Sequence, residues 1–241
     1  MAADGSTMTF GDLFQRAVPY DVNEDAVRSA LRDRRAESGG ERERGGDDEK
    51  STAADSADAS DPPDSADSAD APDPSEPSPA RVVADADVFA ADLLVGGAAR
   101  DGLDALRSHS WTTLVASDPL LDDAESVIAS LADAELAADW RAAVEEWREP
   151  AVHPAGDHPA LGSAYRGAAM QVVSLDPSLT GPGAAAGLRD RMPVSVREPR
   201  AFAVVFSPER LYPEVVDGEY PGPDRDPRSM RRSEPGADHH G

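Results

Sequence analysis

The sequence predicts an α/β protein of three layers, α/β/α, in which helices cover both faces of a mostly parallel central sheet. Two observations support this fold class. Short runs rich in β-branched residues alternate with longer helical patterns through the second half of the chain, and two of these runs end in aspartate. Such alternation is typical of parallel sheets, because each return to the same end of the sheet needs a crossover connection.

Composition divides the 241 residues into four parts. We expect a short helical N-terminal segment at 1–35, a disordered acidic linker at 36–80, a folded domain at 81–216 and a disordered tail at 217–241. The linker runs through glycine, glutamate and near-repeats of Ser-Ala-Asp. It cannot bury enough apolar surface to offset the entropy lost on ordering.

The N-terminal segment carries apolar residues at the spacing of two short helices around Pro19 and Asn23. These residues are Phe10, Leu13, Phe14, Val18, Val22, Val27 and Leu31. They are too few to form a core alone, so we expect their apolar face to dock on the folded domain or on a protein partner. A marginal, frayed helix is the alternative.

The folded domain opens with two strand-helix units. RVVADADVF, from Arg81, is a β-branched strand that ends in aspartates and leads into a helical stretch. TTLVAS at 112–117 is a second strand, and the helix behind it has Ser117 or Asp118 as its N-cap. Residues 133–148 continue as an amphipathic helix whose apolar face belongs to the core.

The later elements repeat the pattern. Asp157 is predicted as the N-cap of a helix, and MQVVSLD at 170–176 is a strand ending in aspartate. PVSV at 193–196 and AFAVVF at 201–206 are predicted to supply further strands.

The chain is strongly acidic, with 47 Asp and Glu against 23 Lys and Arg and a formal net charge of -24. We interpret this charge as halophilic adaptation, since the Debye length falls to about 3 Å in molar salt. A basic partner or a solvating disordered segment is the alternative, and it suits residues 41–79 better than the rest. The net charge of the chain therefore does not distinguish between the possible functions.

Several classes of protein are excluded. The chain has no cysteine, hence no disulfide, thiolate zinc site or cysteine nucleophile. No apolar run approaches the roughly 20 residues that a membrane span needs, and the N-terminus lacks a basic region followed by an apolar stretch. We therefore expect a soluble, cytoplasmic protein without a membrane partner.

Acidic residues occupy the places where parallel sheets bind ligands, beyond the carboxyl ends of the strands. Asp85 ends the first strand, Asp176 ends the strand MQVVSLD, and Asp157 begins the helix before that strand. Asp122 and Asp123 lie in the first turns of the helix after TTLVAS, where one of them can turn inward. Gathered carboxylates repel each other by several kcal/mol unless a cation lies between them, so the cluster predicts Mg²⁺ or Mn²⁺. Taken singly, each acid has the alternative reading of a helix cap or a surface residue.

The order of these short motifs resembles the PIN-like domain family, over residues 81–212. The motifs are Asp-Ala-Asp at 85–87, an acid in the helix after Ser117, Gly-Asp-His-Pro-Ala-Leu at 156–161 and Ser-Leu-Asp at 174–176. The family shows Asp-Thr-Asn, an acid in an early helix, an aspartate opening a helix rich in small residues, and Thr-x-Asp at a strand end.

The resemblance implies a catalytic, metal-binding site made of Asp85, Asp123, Asp157 and Asp176, with Mg²⁺ or Mn²⁺ as the cofactor. Asp122 is the alternative to Asp123 at the helical position. Ser174 would be a hydrogen-bonding neighbour of the site. Asp87 stands where the family commonly has asparagine, which departs from the family pattern.

The implied activity is metal-dependent hydrolysis of RNA phosphodiester bonds, so RNA is the expected substrate. The alternative is a noncatalytic PIN-like binding or regulatory module, which Asp87 favours. A protein partner at the N-terminal helices and a homodimer are the further partners that this organisation allows. A haloacid-dehalogenase-type phosphatase also begins with Asp-x-Asp, but Phe89 replaces its polar residue and the single lysine, Lys50, lies in the linker.

Overall fold

The computed structural model describes residues 8–45, 76–181, 183 and 193–230, and of 39–45 it describes the backbone alone. These ranges contain a five-stranded sheet in the order β3-β2-β1-β4-β5, and every neighbouring pair is parallel. The strands are β1 (Ser78–Ala84), β2 (Thr113–Ala116), β3 (Glu149–Pro150), β4 (Ala169–Val173) and β5 (Ser195–Arg197).

Helices connect the strands and precede them. They are α1 (Phe10–Ala17), α2 (Glu24–Gly45), α3 (Ala86–Leu94), α4 (Gly97–Arg107), α5 (Asp118–Leu131), α6 (Ala134–Glu145), α7 (Pro159–Arg166), α8 (Pro177–Thr180), α9 (Pro199–Val205) and α10 (Pro208–Val215). No helix in the described ranges combines the length and the apolar character needed to cross a bilayer.

The connections run in two directions along the sheet. From β1 the chain moves through β2 to the edge strand β3, then returns past β1 to β4 and β5. Because such crossovers are right-handed, the two directions place their helices on opposite faces of the sheet. The fold is therefore a three-layer α/β/α arrangement, as the sequence predicts, and its direction reverses between β1 and β4.

The N-terminal helices dock on the folded domain, which is one of the two places that the apolar pattern predicts. Phe10, Leu13, Phe14, Val27 and Leu31 are all buried. Helix α1 packs against α6 and α3, and α2 packs against α5 and α3. The apolar face of the N-terminal segment is thus part of the core of the molecule.

One predicted strand is wrong. AFAVVF at 201–206 lies in helix α9, which begins at Pro199 with Glu198 as its N-cap. Proline at the first helical position presets the backbone for a helix. Phe202 is buried in the core and Phe206 packs against it, four residues apart as on one helix face, while Val204 is 81% exposed. The run PVSV does supply a strand, β5.

The boundaries of the parts also differ from the predicted ones. Helix α2 continues to Gly45, ten residues into the predicted linker, since Glu and Arg are good helix formers there. Strand β1 begins at Ser78 and not at Arg81. The rest of the predicted linker, 46–75, lies outside the described residues.

Residues 217–230 were predicted as disordered tail, but the structure gives them a defined path. The backbone N–H of Ser110 donates to the Asp224 carboxylate at 2.8 Å, and that of Gly11 donates to the Arg228 carbonyl at 3.0 Å. The Tyr220 hydroxyl lies 2.6 Å from the His109 ring. These contacts offset the low apolar content of the segment. Residues 231–241 lie outside the described residues.

Candidate functional site

The candidate site lies at the carboxyl ends of β1 and β4, where the direction of the sheet reverses. The two strands pair directly, and the backbone N–H of Asp85 donates to the Val173 carbonyl at 2.8 Å. Asp85 and Ser174 therefore follow the ends of adjacent strands side by side. In open α/β sheets this reversal leaves a crevice in which ligands bind.

Asp85 is completely buried and is fixed by three hydrogen bonds. It is the N-cap of α3, and its Oδ1 accepts from the backbone N–H of Ala86 at 2.8 Å. Its Oδ2 accepts from the Ser174 hydroxyl at 2.9 Å. The sequence predicts Ser174 as a neighbour of the site, and this hydrogen bond places it there.

The third hydrogen bond to Asp85 comes from the N-terminal helix α2. The Nη2 of Arg35 donates to Asp85 Oδ1 at 2.6 Å, and its Nε donates to Asp123 Oδ2 at 3.4 Å. The Arg35 guanidinium thus bridges two carboxylates that come from different elements of the domain. Its side chain is only 23% exposed.

Asp87 is a second buried carboxyl, in the first turn of α3. Its Oδ2 accepts from the backbone N–H of Leu175 at 3.1 Å, while its Oδ1 is buried and has no hydrogen-bond partner among the described residues. Burial, with the nearby charge of Asp85, raises the pKa of Asp87 well above its usual range. Such a group takes either a proton or a cation.

Asp123, and not Asp122, faces this site from α5. Asp123 is buried and pairs with Arg35, and its Oδ1 lies 3.6 Å from the Nε of Arg34. Burial raises its pKa although both arginines oppose the shift. Asp122 is exposed and pairs with Arg141 at 2.8 Å on the outer face of the helix.

Asp157 lies at the rim of the site. It is exposed, its carboxylate makes no hydrogen bond or ion pair within the described ranges, and the N-cap of α7 is His158, one residue later than predicted. Asp157 still lines a cavity of about 430 Å³ together with Asp123 and Arg35. The structure does not bring its carboxylate into contact with Asp85.

His158 occupies the inner position that was expected for Asp157. Its Nε2 lies 3.1 Å from the Nη1 of Arg35. A guanidinium can only donate, so His158 Nε2 accepts and its proton lies on Nδ1. Burial lowers the pKa of His158, which favours this neutral form.

Asp176 completes the inner side of the site. It caps the short helix α8 by accepting from the backbone N–H of Ser178 at 2.8 Å, and its own N–H donates to Ser174 Oγ at 3.0 Å. Together with Asp87 and Arg35 it lines a second cavity, of about 470 Å³. We call Asp85, Asp87, Asp123 and Asp176 the carboxylate site.

Sequence reasoning missed Arg35 and His158. Arg35 follows Val27 and Leu31 at intervals of four, so all three lie on the buried face of α2. That spacing indicates that Arg35 lies on the buried face of α2, but it does not indicate which residue of the folded domain Arg35 contacts. His158 stands inside the Gly-Asp-His-Pro motif, one position from the predicted acid.

The chemistry of the carboxylate site suits a hard cation. All its ligand atoms are oxygens, which Mg²⁺ and Mn²⁺ prefer, and Asp87 Oδ1 is a buried acceptor without a donor. In the part of the chain that the structure describes, however, no group of three or more acidic or histidine side chains could hold a metal ion as arranged. The cation that contacts Asp85 and Asp123 is the Arg35 guanidinium.

Fold and site together define an α/β protein that gathers buried carboxylates at the point where its parallel sheet reverses direction. The chain belongs to the DUF7384 family, a family of unknown function, whose model matches residues 76–228. No curated protein and no solved structure matches the chain. The matched range includes the whole carboxylate site, whereas α1, α2 and Arg35 lie outside it.

Proposed function

We propose that this protein is a PIN-like, metal-dependent ribonuclease that hydrolyses RNA phosphodiester bonds at the carboxylate site. The observation that carries the proposal is the pair of buried carboxyl groups, Asp85 and Asp87, at the reversal of the sheet. Burying two acids side by side is costly, so a site that keeps them is commonly a functional one. The proposed substrate, RNA, agrees with the cytoplasmic location that the sequence predicts.

The residues of the site have separable roles in this proposal. Asp85, which Ser174 and the Ala86 N–H hold in one orientation, would be the fixed ligand. Asp87 would offer its unpartnered Oδ1, and Asp176 would approach from the end of β4. Asp157, exposed at the rim, would face the incoming substrate.

Asp123 and His158 border the same site from α5 and α7. Asp123 would close the carboxylate site on the side opposite Asp176. His158, half-buried and neutral, accepts from Arg35 through Nε2, and the same nitrogen would accept a hydrogen bond from a substrate or from water if Arg35 moved away. When bound, Mg²⁺ or Mn²⁺ would supply Lewis acidity that orients the phosphodiester and favours hydrolysis by water.

A cleavage assay with Mn²⁺ and labelled single-stranded RNA of mixed sequence tests the proposal. We expect Asp85→Asn to lower metal-dependent cleavage about 100-fold or more, because it removes the charge of the fixed ligand. Asp123→Asn and Asp122→Asn form a matched pair on one helix. The first should impair cleavage, and the second, which removes an exposed ion pair with Arg141, should not. Equal effects of the two substitutions would contradict the assigned site.

A noncatalytic PIN-like binding or regulatory module is the second candidate function. The observation that favours it is the ion pair of Arg35 with Asp85, which already neutralises the most buried acid of the site. In such a module the carboxylates would fasten the N-terminal helices and would not bind metal. Mn²⁺ would then leave the melting temperature unchanged at matched ionic strength, whereas the nuclease should gain stability from it.

A further inference from the structure

We propose that Arg35 is an internal inhibitor: its guanidinium holds the place of a divalent cation in the carboxylate site, and helix α2 must release it before metal binds. This inference rests on the proposed function, because it concerns the same site. It adds a regulatory role for the N-terminal helices, which lie outside the part of the chain that matches the family.

The hydrogen bonds of Asp85 carry the first step. Each carboxylate oxygen accepts about two hydrogen bonds. Oδ1 accepts from the Ala86 N–H at 2.8 Å and from Arg35 at 2.6 Å, and Oδ2 accepts from Ser174 at 2.9 Å. With Arg35 in place, Oδ1, which lies toward Asp123, has no lone pair left for a metal ion, and Oδ2 keeps one. Withdrawal of Arg35 frees Oδ1.

The charges of the site carry the second step. Asp85 is completely buried, and Arg35 is the cation that pairs with it among the described residues. A divalent ion beside the guanidinium would meet a like charge at close range, so the two cations exclude each other. Loss of Arg35 without replacement leaves a buried negative charge, which a metal ion can then neutralise.

The shape of the site carries the third step. Arg35 lines both the cavity that contains Asp87 and Asp176 and the cavity that contains Asp123 and Asp157. Its withdrawal would open a path between these two pairs of acids and would expose Asp85, which it covers. The guanidinium therefore lies where a phosphodiester chain would have to pass.

Titration of the full chain with Mn²⁺ alone, at constant ionic strength, measures the competition. The apparent affinity for a ligand falls by the fraction of molecules that are competent to bind it, so removal of a dominant inhibitor should raise the affinity for Mn²⁺ by about tenfold or more. We expect this gain in Arg35→Met, which keeps the aliphatic stem and removes the charge. The variant should also melt at a lower temperature without metal and recover with Mn²⁺.

Arg166→Met is the matched control, because Arg166 is an exposed arginine of α7 that lines neither of the two cavities. We expect its affinity for Mn²⁺ to stay within about twofold of the wild type. An equal gain in both variants would show a general effect of charge and overturn the proposal. So would an Arg35→Met protein that binds Mn²⁺ no better than the wild type.

Amide hydrogen exchange in the wild type tests the inhibitor without any substitution. Addition of Mn²⁺ should raise exchange over residues 24–38 of α2 while β1 stays protected. Binding of Mn²⁺ with no change in α2 would overturn the proposal, since metal and Arg35 would then coexist.

Tighter Mn²⁺ binding by Arg35→Met without RNA cleavage would support the inhibitor and refute the nuclease. RNA cleavage that is equally fast in wild type and Arg35→Met would support the nuclease and refute the inhibitor.

Discussion

Three buried aspartates of this protein meet the cost of burial in three different ways. Asp92 pairs with Arg107, and neither side chain is exposed at all. Asp85 pairs with Arg35, whose side chain keeps a path to solvent. Asp87 contacts no cation among the described residues, and burial together with the charge of Asp85 raises its pKa. The first pair is fully enclosed, the second reaches solvent through Arg35, and Asp87 keeps a carboxyl group whose burial no contacting cation offsets within the described residues.

Of the two ion pairs, breaking Asp92–Arg107 should lower the free energy of unfolding more than breaking Asp85–Arg35. Asp92→Asn leaves the Arg107 charge buried, so we expect a loss of about 3–5 kcal/mol in the free energy of unfolding. Asp104→Asn is the control, because Asp104 contacts the same guanidinium at 2.9 Å but is partly exposed. Urea denaturation of both variants measures the difference. A loss as small for Asp92→Asn as for Asp104→Asn would contradict the structural role of the pair.

Asp176→Asn separates charge from structure at the carboxylate site. The amide oxygen of Asn can still accept from the Ser178 N–H, so the cap of α8 should persist. The charge of Asp176 contributes to the raised pKa of Asp87, and its removal relieves that repulsion. We expect metal-dependent RNA cleavage to be abolished, with a melting temperature in metal-free buffer that is unchanged or slightly higher. Cleavage that survives would remove Asp176 from the site.

At the scale of secondary-structure elements, the helix caps and the buried helix faces position the side chains of the site. Asp85 follows β1 and caps α3, so one residue both ends a strand and starts a helix. Val27, Leu31 and Arg35 share one face of α2, which places a charge at the end of an apolar stripe. Because α2 docks through Val27 and Leu31, the guanidinium of Arg35 is held beside Asp85.

The turn after α1 predicts a specific dependence of stability on pH. The Tyr20 hydroxyl donates to Asp133, which lowers the pKa of Asp133 below its ordinary 3.8 and raises the pKa of Tyr20 above its ordinary 10.0. The depressed acid stabilises the fold above pH 3.8 and loses this effect as the pH falls through its folded pKa. The raised phenol stabilises the fold below pH 10.0 and loses this effect as the pH rises through its folded pKa.

Tyr20→Phe should therefore lower the melting temperature most between these limits, and its difference from wild type should shrink at both ends. Thermal melts across pH measure this difference, which cancels the titration of all other groups. Tyr165→Phe is the control, because Tyr165 is 56% exposed and its hydroxyl has no hydrogen bond within the described ranges. A pH-independent difference for Tyr20→Phe would show that the hydrogen bond does not carry the effect.

The same scale explains which features the sequence predicts. Asp85, Asp123 and Asp176 were predictable, because strand ends and first helical turns meet at one edge of a parallel sheet. The inward position of His158 was not predictable. The N-cap of α7 lies one residue later than predicted, so His158 points into the site where Asp157 was expected. Arg35 was not predictable either: it contacts Asp85 from a separate segment, and no local pattern encodes that contact. AFAVVF failed because six apolar residues fit a strand and a short helix equally well.

At the scale of the whole molecule, the N-terminal helices belong to the fold although the family match omits them. Phe14 is buried under the guanidinium of Arg100, which lies 3.9 Å from its ring centroid. Arg100 in turn donates to the carbonyls of Asp92 and Leu93 at the end of α3. Helices α1 and α2 both pack against α3, whose N-cap is Asp85, so the docking of α1 and the position of Arg35 belong to one packed unit.

The charge of the whole chain makes the last prediction. A formal net charge of -24 repels itself, and salt shortens the range of that repulsion from about 10 Å at 0.1 M to about 3 Å at 1 M. We expect the melting temperature to rise steeply between about 0.1 and 0.5 M KCl and then to level off, because screening is nearly complete by then. Buried pairs such as Asp92–Arg107 are screened much less and should persist. Sucrose at equal osmolality is the control, since it stabilises by exclusion without screening. A melting temperature that is flat or falling in KCl, or a gain that sucrose reproduces, would refute the interpretation of the acidic surface as halophilic adaptation.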